Sequence, residues 1–267
     1  MDTFDQAAHF REAGMGWGVV CLHSSASSSG QWRALIDRLS DGFRVIAVDL
    51  YGYGKSPAWP EERQIYMDDE LSLLEPVFRS AGDAFHLVGH SYGGAIALKS
   101  ALKNPRRLKS LVLYEPALWS VLLADDPNSP ATREIQAVRD DTIRAVSLGD
   151  LETTAEQFVD YWLGPGSFSR IPEARRPALA NGMRKVRAEW HGAFHEPTPL
   201  AAFAAVDVPT LFLTGSESPA PARYVARLLC EVLPQVTIIE FEGLGHMGPV
   251  THPERVNEAI ESFLRVL

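Results

Sequence analysis

The sequence predicts an α/β chain built on a mostly parallel central sheet, with helices on both faces and a helical insertion after the strand that ends near Tyr114. Three observations carry that prediction. Short apolar runs rich in Val, Ile and Leu alternate with segments of helical periodicity along 18–114 and again along 209–266, the pattern of parallel strands buried on both faces. Residues 117–205 break the rhythm, with helical stretches near 131–147, 151–163 and 173–194 and no strand candidate between them. Finally, 267 residues suit one core with an insertion, because a single hydrophobic core stops growing near ~250–300 residues. The expected division is a core domain of residues 1–116 and 206–267 and a helical insertion of residues 117–205.

The elements follow in order. After a short lead-in, the apolar run 18–23 is the first strand, bounded by Gly and Ser. A helix over 31–39 sets Trp32, Leu35, Ile36 and Leu39 on one face, the i, i+3, i+4, i+7 spacing. The β-branched run 43–49 ends in Asp49, whose side chain is suited to organise the turn through Gly52 and Gly54. A polar helix near 65–80, a strand at 84–89, a helix over 92–103 and a strand at 108–114 continue the alternation. Beyond the insertion come a strand at 209–215, a helix near 220–233, a strand at 236–241 and a closing helix near 253–266.

Composition narrows the function. Lys and Arg number 25 against 34 Asp and Glu, a net charge of −9, and an acidic surface repels phosphate backbones and anionic headgroups. The expected partner is a small molecule, with no nucleic acid and no membrane; oligomeric state is not legible. Cys21 and Cys230 lie far apart, in a strand and a helix, and offer neither a disulfide framework nor a zinc spacing. They read as buried free thiols. The start of the chain has no apolar signal core and no run reaches the ~18 apolar residues of a membrane span, so the expected location is cytoplasmic.

The chemistry concentrates at Gly89-His90-Ser91-Tyr92-Gly93, a G-x-S-x-G pattern between a strand and a helix. Such a turn is so tight that Ser91 must adopt a strained backbone, and side chains at 89 and 93 would strike the neighbouring strand and helix. The first amides of the helix, Tyr92 foremost, would point at an oxyanion formed on Ser91. A serine needs a base. Of eight histidines, His246 alone stands in a glycine-rich loop straight after the last strand, free to bend over the sheet edge. His23 ends a strand, His86 lies inside one, and His90 is expected to point away from the turn; His9 and His252 lie in the lead-in and at the last helix. His191 and His195, four apart on a helix, could ligate a metal but lack a third ligand, so no metal is expected.

With these pieces the chain resembles the α/β-hydrolase fold family over essentially its whole length, residues 117–205 standing in the place of the family's variable cap. The matching segments are residues 22–32, residues 49–56, the elbow at Ser91 and residues 245–253. The resemblance implies a serine hydrolase without cofactor, and it implies Ser25 as the second oxyanion donor beside Tyr92. Ser24 stands where the family usually has Gly. The commonest acid position, three residues past Gly215, is Ser218 rather than Asp. Two carboxylates remain: Glu115, at a position some members use, which ends the strand after the nucleophile strand, and Glu217 as the alternative. Asp49 is the weaker candidate.

Trp119, Phe158, Trp162, Phe168, Trp190, Phe194 and Phe203 give the insertion a dense aromatic supply. Most should be core, and a few should face a cleft whose apolar walls carry few fixed charges. The expected reaction is therefore carboxylesterase-like cleavage of an ester or lactone of a small to medium apolar substrate. Serine-dependent carbon–carbon bond hydrolysis, perhydrolysis and a non-catalytic receptor stand as alternatives.

Overall fold

A computed structural model describes residues 7–60 and 63–267; the acidic first residues of the lead-in lie outside them. Among the described residues, strands β1 (Phe10–Ala13), β2 (Trp17–Leu22), β3 (Phe43–Val48), β4 (Phe85–His90), β5 (Leu108–Tyr114), β6 (Thr210–Gly215) and β7 (Val236–Phe241) form one sheet in the order β1-β3-β2-β4-β5-β6-β7. All neighbours are parallel except β1 with β3. β1 falls within what the sequence reads as lead-in. Its four residues are partly or wholly exposed and show no buried face, so an edge strand held by backbone pairing leaves little hydrophobic signal.

Side chains alternate strictly between two cores. Val20, Leu22, Leu87, Leu111 and Phe212 face one side of the sheet, and Val19, Cys21, Val88, Val112 and Leu211 the other. Helix α1 (Arg33–Leu39), entered through the 3₁₀ turn Ser29–Trp32, covers the second side. Helices α2 (Met67–Ser80) and α3 (Tyr92–Lys103) cover the first. Between β5 and β6 the described chain is helical or irregular: α4 (Ser120–Asp125), α5 (Pro130–Ser147), α6 (Leu151–Leu163), α7 (Ser167–Arg170), α8 (Arg176–His195) and the 3₁₀ stretch Leu200–Ala205. Capping fixes two of these starts. Ser129 Oγ accepts from Thr132 N at 3.0 Å and Asp150 Oδ1 from Thr153 N at 3.2 Å.

Helix α9 (Ala220–Val232) joins the first side, and after the short α10 (Gly248–Thr251) the closing α11 (Pro253–Leu264) packs beside α1. The order of strands reverses at β2, which has β3 on one side and β4 on the other. Open α/β sheets bind ligands outside the carboxyl ends of their strands at such a switch. Among the described residues no helix is long and apolar enough to cross a membrane.

Candidate active site

Ser91 is the single residue between β4 and α3, with φ 54° and ψ −117°. The glycines on either side are required by space: a Cβ on Gly89 would lie 2.5 Å from Gly93 O, and one on Gly93 2.5 Å from His23 O. The turn is pinned by Ser91 N donating to Tyr114 O and by Ala117 N donating to Ser91 O, both at 2.9 Å.

His246 arrives on the loop after β7. Its carbonyl accepts from His90 Nε2 at 2.8 Å, and the carbonyl of Gly245 accepts from Tyr114 Oη at 2.8 Å. The ring then spans two partners, Ser91 Oγ at 2.9 Å from Nε2 and Glu115 Oε2 at 2.7 Å from Nδ1. An ionised carboxylate only accepts, so Nδ1 carries the proton and Nε2 takes the serine hydroxyl's. All three side chains are buried. Such an arrangement can deprotonate an alcohol and stabilise the imidazolium that results.

Glu115 follows β5 with φ 42°. Its second oxygen accepts from Ser218 Oγ at 2.6 Å, Thr214 Oγ1 at 2.7 Å and Gly215 N at 2.8 Å. Burial alone would raise its carboxyl, but the bonds from His246, Ser218 and Gly215 outweigh it and hold the group below the usual carboxylate range. Glu217 is exposed and makes no hydrogen bond to His246. Ser218, at the position where the sequence lacks an Asp, supports the carboxylate that stands elsewhere.

Ser25 and Tyr92 line one cavity with Ser91. The Tyr92 amide opens α3 and, as a first-turn N–H, has no acceptor within the helix. Ser24 needs no glycine conformation, because the positive φ of this loop falls on Ala26, at 54°. Ser24 N and Oγ both donate to Gln31 Oε1 at 3.1 Å, and Gln31 Nε2 donates to His90 Nδ1 at 3.1 Å. His90 therefore points away from the serine yet ties the Ser24 loop to the His246 loop. Sequence reasoning missed that chain of bonds. The G-x-S-x-G pattern leaves the identity of its second residue open, so no pattern signalled it.

The remaining candidates fall outside this relay. His23 Nδ1 donates to Ser24 O at 2.7 Å while its Nε2 accepts from Leu50 N at 3.1 Å, and burial pushes its pKa down to about 4. Asp49 accepts from Ser29 N at 2.6 Å, His9 Nδ1 at 2.8 Å and Lys55 N at 3.0 Å, joining the serine-rich loop to the glycine turn. His191 and His195 stack with ring centroids 4.4 Å apart, and among the described residues no group of three metal-ligating side chains gathers. Cys21 is buried and Cys230 partly so, and both are unbridged.

Two cavities meet at Ser91. One of about 160 Å³ is walled by His246, Trp162, Leu163, Ile171 and Leu179, and one of about 30 Å³ by Ser25, Tyr92, Trp119, Glu189 and Trp190. The Trp162 ring lies 4.2 Å from that of His246. The walls carry few fixed charges, as expected, and the exception is Glu189 in the smaller cavity. Lys185 Nζ, on α8, bonds Glu70 and Glu189 at 2.9 Å each; all three are buried, and Glu189 walls the smaller cavity. Lys185 and Glu189 stand at i, i+4 on α8, and their buried partner Glu70 comes from α2.

A family model described as "Alpha/beta hydrolase family" matches residues 19–259. Over 265 residues the chain is 24% identical to the (E)-2-((N-methylformamido)methylene)succinate hydrolase of Acinetobacter baylyi, covering 97% of this chain and 95% of that one. Over 254 residues it is 27% identical to the pimeloyl-[acyl-carrier protein] methyl ester esterase of Chromobacterium violaceum, covering 94% and 95%. Among solved structures it is similar to a thermophilic esterase from Thermogutta terrifontis, with a TM-score of 0.74, 26% identity and coverage of 97% and 93%. With this match and a seven-stranded, mostly parallel sheet clad by helices, the chain belongs to the α/β-hydrolase family.

Proposed function

We propose that the protein is a serine hydrolase that cleaves a carboxylic ester or lactone of a small to medium substrate through an acyl-enzyme. Ser91 Oγ attacks the carbonyl carbon as His246 Nε2 takes its proton, and Glu115 holds the imidazole in the tautomer this requires. The amides of Tyr92 and Ser25 receive the oxyanion. The carbon–oxygen bond of the ester then breaks, the leaving alcohol takes the proton from His246, and water releases the acyl group by the same steps in reverse roles. No cofactor enters, and residues 117–205 act as the cap over a core of residues 1–116 and 206–267.

The observation that carries this reading is the unbroken relay from Ser91 Oγ through His246 to Glu115, at 2.9 and 2.7 Å, opening onto two cavities. The names of the Chromobacterium and Thermogutta relatives, both esterases, support an ester bond. Turnover of short aryl esters tests it. Ser91→Ala should lose on the order of 10⁴-fold or more in kcat; cleavage at the parent rate would remove the serine from the mechanism.

A further inference from the structure

Among the described residues, three polar side-chain atoms on residues that wall the smaller cavity have no hydrogen-bond partner: Glu189 Oε2, Tyr92 Oη and Trp190 Nε1. Each of these residues is more than nine-tenths buried. Buried polar atoms in folded proteins are nearly always paired, so three together beside the nucleophile mark a place built to meet polar groups of something else. Lys185 does not remove the demand. It engages the other oxygen of Glu189, and it also pairs Glu70, so one cation faces two carboxylates and the wall keeps negative character. Tyr53 approaches Glu189, which after burial raises its hydroxyl pKa, but among the described residues its Oη reaches no partner at full hydrogen-bond geometry.

The chemistry of the three atoms selects a ligand group. An ionised Glu189 oxygen only accepts, the Trp190 ring N–H only donates, and the Tyr92 hydroxyl does either. A group that satisfies Glu189 and Trp190 together must donate one hydrogen bond and accept another. A hydroxyl does both from a single atom. An ammonium leaves Trp190 unmet, a carboxylate is repelled by Glu189, and a methyl meets neither.

Which half of the substrate carries that group follows from proton transfer. The leaving alcohol must reach the His246 proton, and His246 walls the larger cavity and not the smaller. The acyl half therefore enters the smaller one, whose volume of about 30 Å³ holds about two water-sized groups beyond the carbonyl.

We propose that the acyl part of the substrate bears a hydroxyl that docks against Glu189 and Trp190, which makes the protein a hydrolase of short hydroxyacyl esters. This rests on the reading of Ser91 as nucleophile and deepens it.

The test compares kcat/KM for p-nitrophenyl glycolate and p-nitrophenyl propionate, which share a leaving group and carry two groups beyond the carbonyl, in the unaltered protein, Glu189→Leu and Trp190→Phe. The hydroxylated ester should be favoured by about 10–100-fold in the unaltered protein. That ratio should fall to about one in Glu189→Leu, where Lys185 retains Glu70, and several-fold in Trp190→Phe. A ratio cancels general damage to the fold, and Trp190→Phe keeps the test open if Glu189→Leu does not fold. Equal rates in the unaltered protein, or ratios untouched by both substitutions, overturn the proposal and leave water or Tyr53 as the partner of Glu189. A stronger preference for the glycinate ester overturns the hydroxyl in favour of a cation. Cleavage of plain propionate with no hydroxyl preference sinks the docking alone; cleavage of neither ester, with no labelling of Ser91 by a fluorophosphonate, sinks the nucleophile reading as well.

Discussion

Glu115 shows how much a single residue's role depends on its neighbours in space. Its position 24 residues after Ser91 was legible as a candidate, because a carboxylate ending the adjacent strand emerges at the same sheet edge. Its advantage over Glu217 was not. It comes from Thr214, Gly215 and Ser218, about a hundred residues onward, which the register of β5 against β6 brings to the unused oxygen. Glu115→Gln should lower kcat on an aryl ester by on the order of 10⁴-fold through the wrong tautomer of His246, whereas Glu217→Gln, at an exposed site, should stay within about twofold. The reverse pattern in steady-state kinetics would return Glu217 to the relay. Gln31 is the residue with least sequence signal and a clear positional task, since it bonds Ser24 on one side and His90 on the other. Gln31→Ala should lower kcat by about 10-fold with KM little changed; a change confined to KM would show that it shapes binding instead.

Among elements, the elbow between β4 and α3 was the most legible, because its glycines answer a steric demand written within five residues. Adding one methyl tests that demand. In Gly93→Ala the new Cβ would sit within 2.6 Å of the Leu22 and His23 carbonyl oxygens, backbone atoms of the central strand's end that cannot swing aside. The variant should lose about 2–3 kcal/mol of stability, read as a melting temperature about 5–10 °C lower; an unchanged melting curve would mean the strand end yields. The helices between β5 and β6 were legible as helices, from periodicity and from caps such as Ser129 and Asp150. Their inward faces were not. Whether Trp162 or Trp190 meets the cleft depends on how α6 and α8 pack, and a stripe of aromatics at helical spacing looks the same in a core as in a pocket. β1 escaped altogether, being short and without an alternating apolar pattern.

At the scale of the whole molecule, the alternation of buried strands and helices gave the architecture, since a parallel sheet needs apolar residues on both faces of each strand. What it could not give was charge buried by tertiary packing, such as the Lys185, Glu70 and Glu189 group, whose members come from α2 and α8. Buried histidines also set a property of the whole fold. Burial pushes both His23 and His86 down to about 4, so between pH 6.5 and about 4 the unfolded chain binds protons that the folded chain refuses. Stability is then full above pH 6.5 and declines below it, by up to about 1.4 kcal/mol per pH unit for each group. Glu115, held below its ordinary 4.5, adds a loss as pH falls below that value, where the unfolded chain binds its proton first, and the loss is complete once the folded form is protonated. Denaturant unfolding across pH 4–8 checks the direction; a flat profile would mean that these histidines are protonated within the fold. The convergence of residues 91, 115 and 246 from three strand ends remains the claim on which the function rests. Intact mass and peptide mapping after treatment with a fluorophosphonate probe address it most directly: one adduct, located on Ser91, forming rapidly in the unaltered protein and lost in His246→Ala, is the expected result, and labelling that is absent, elsewhere or indifferent to His246 would contradict it.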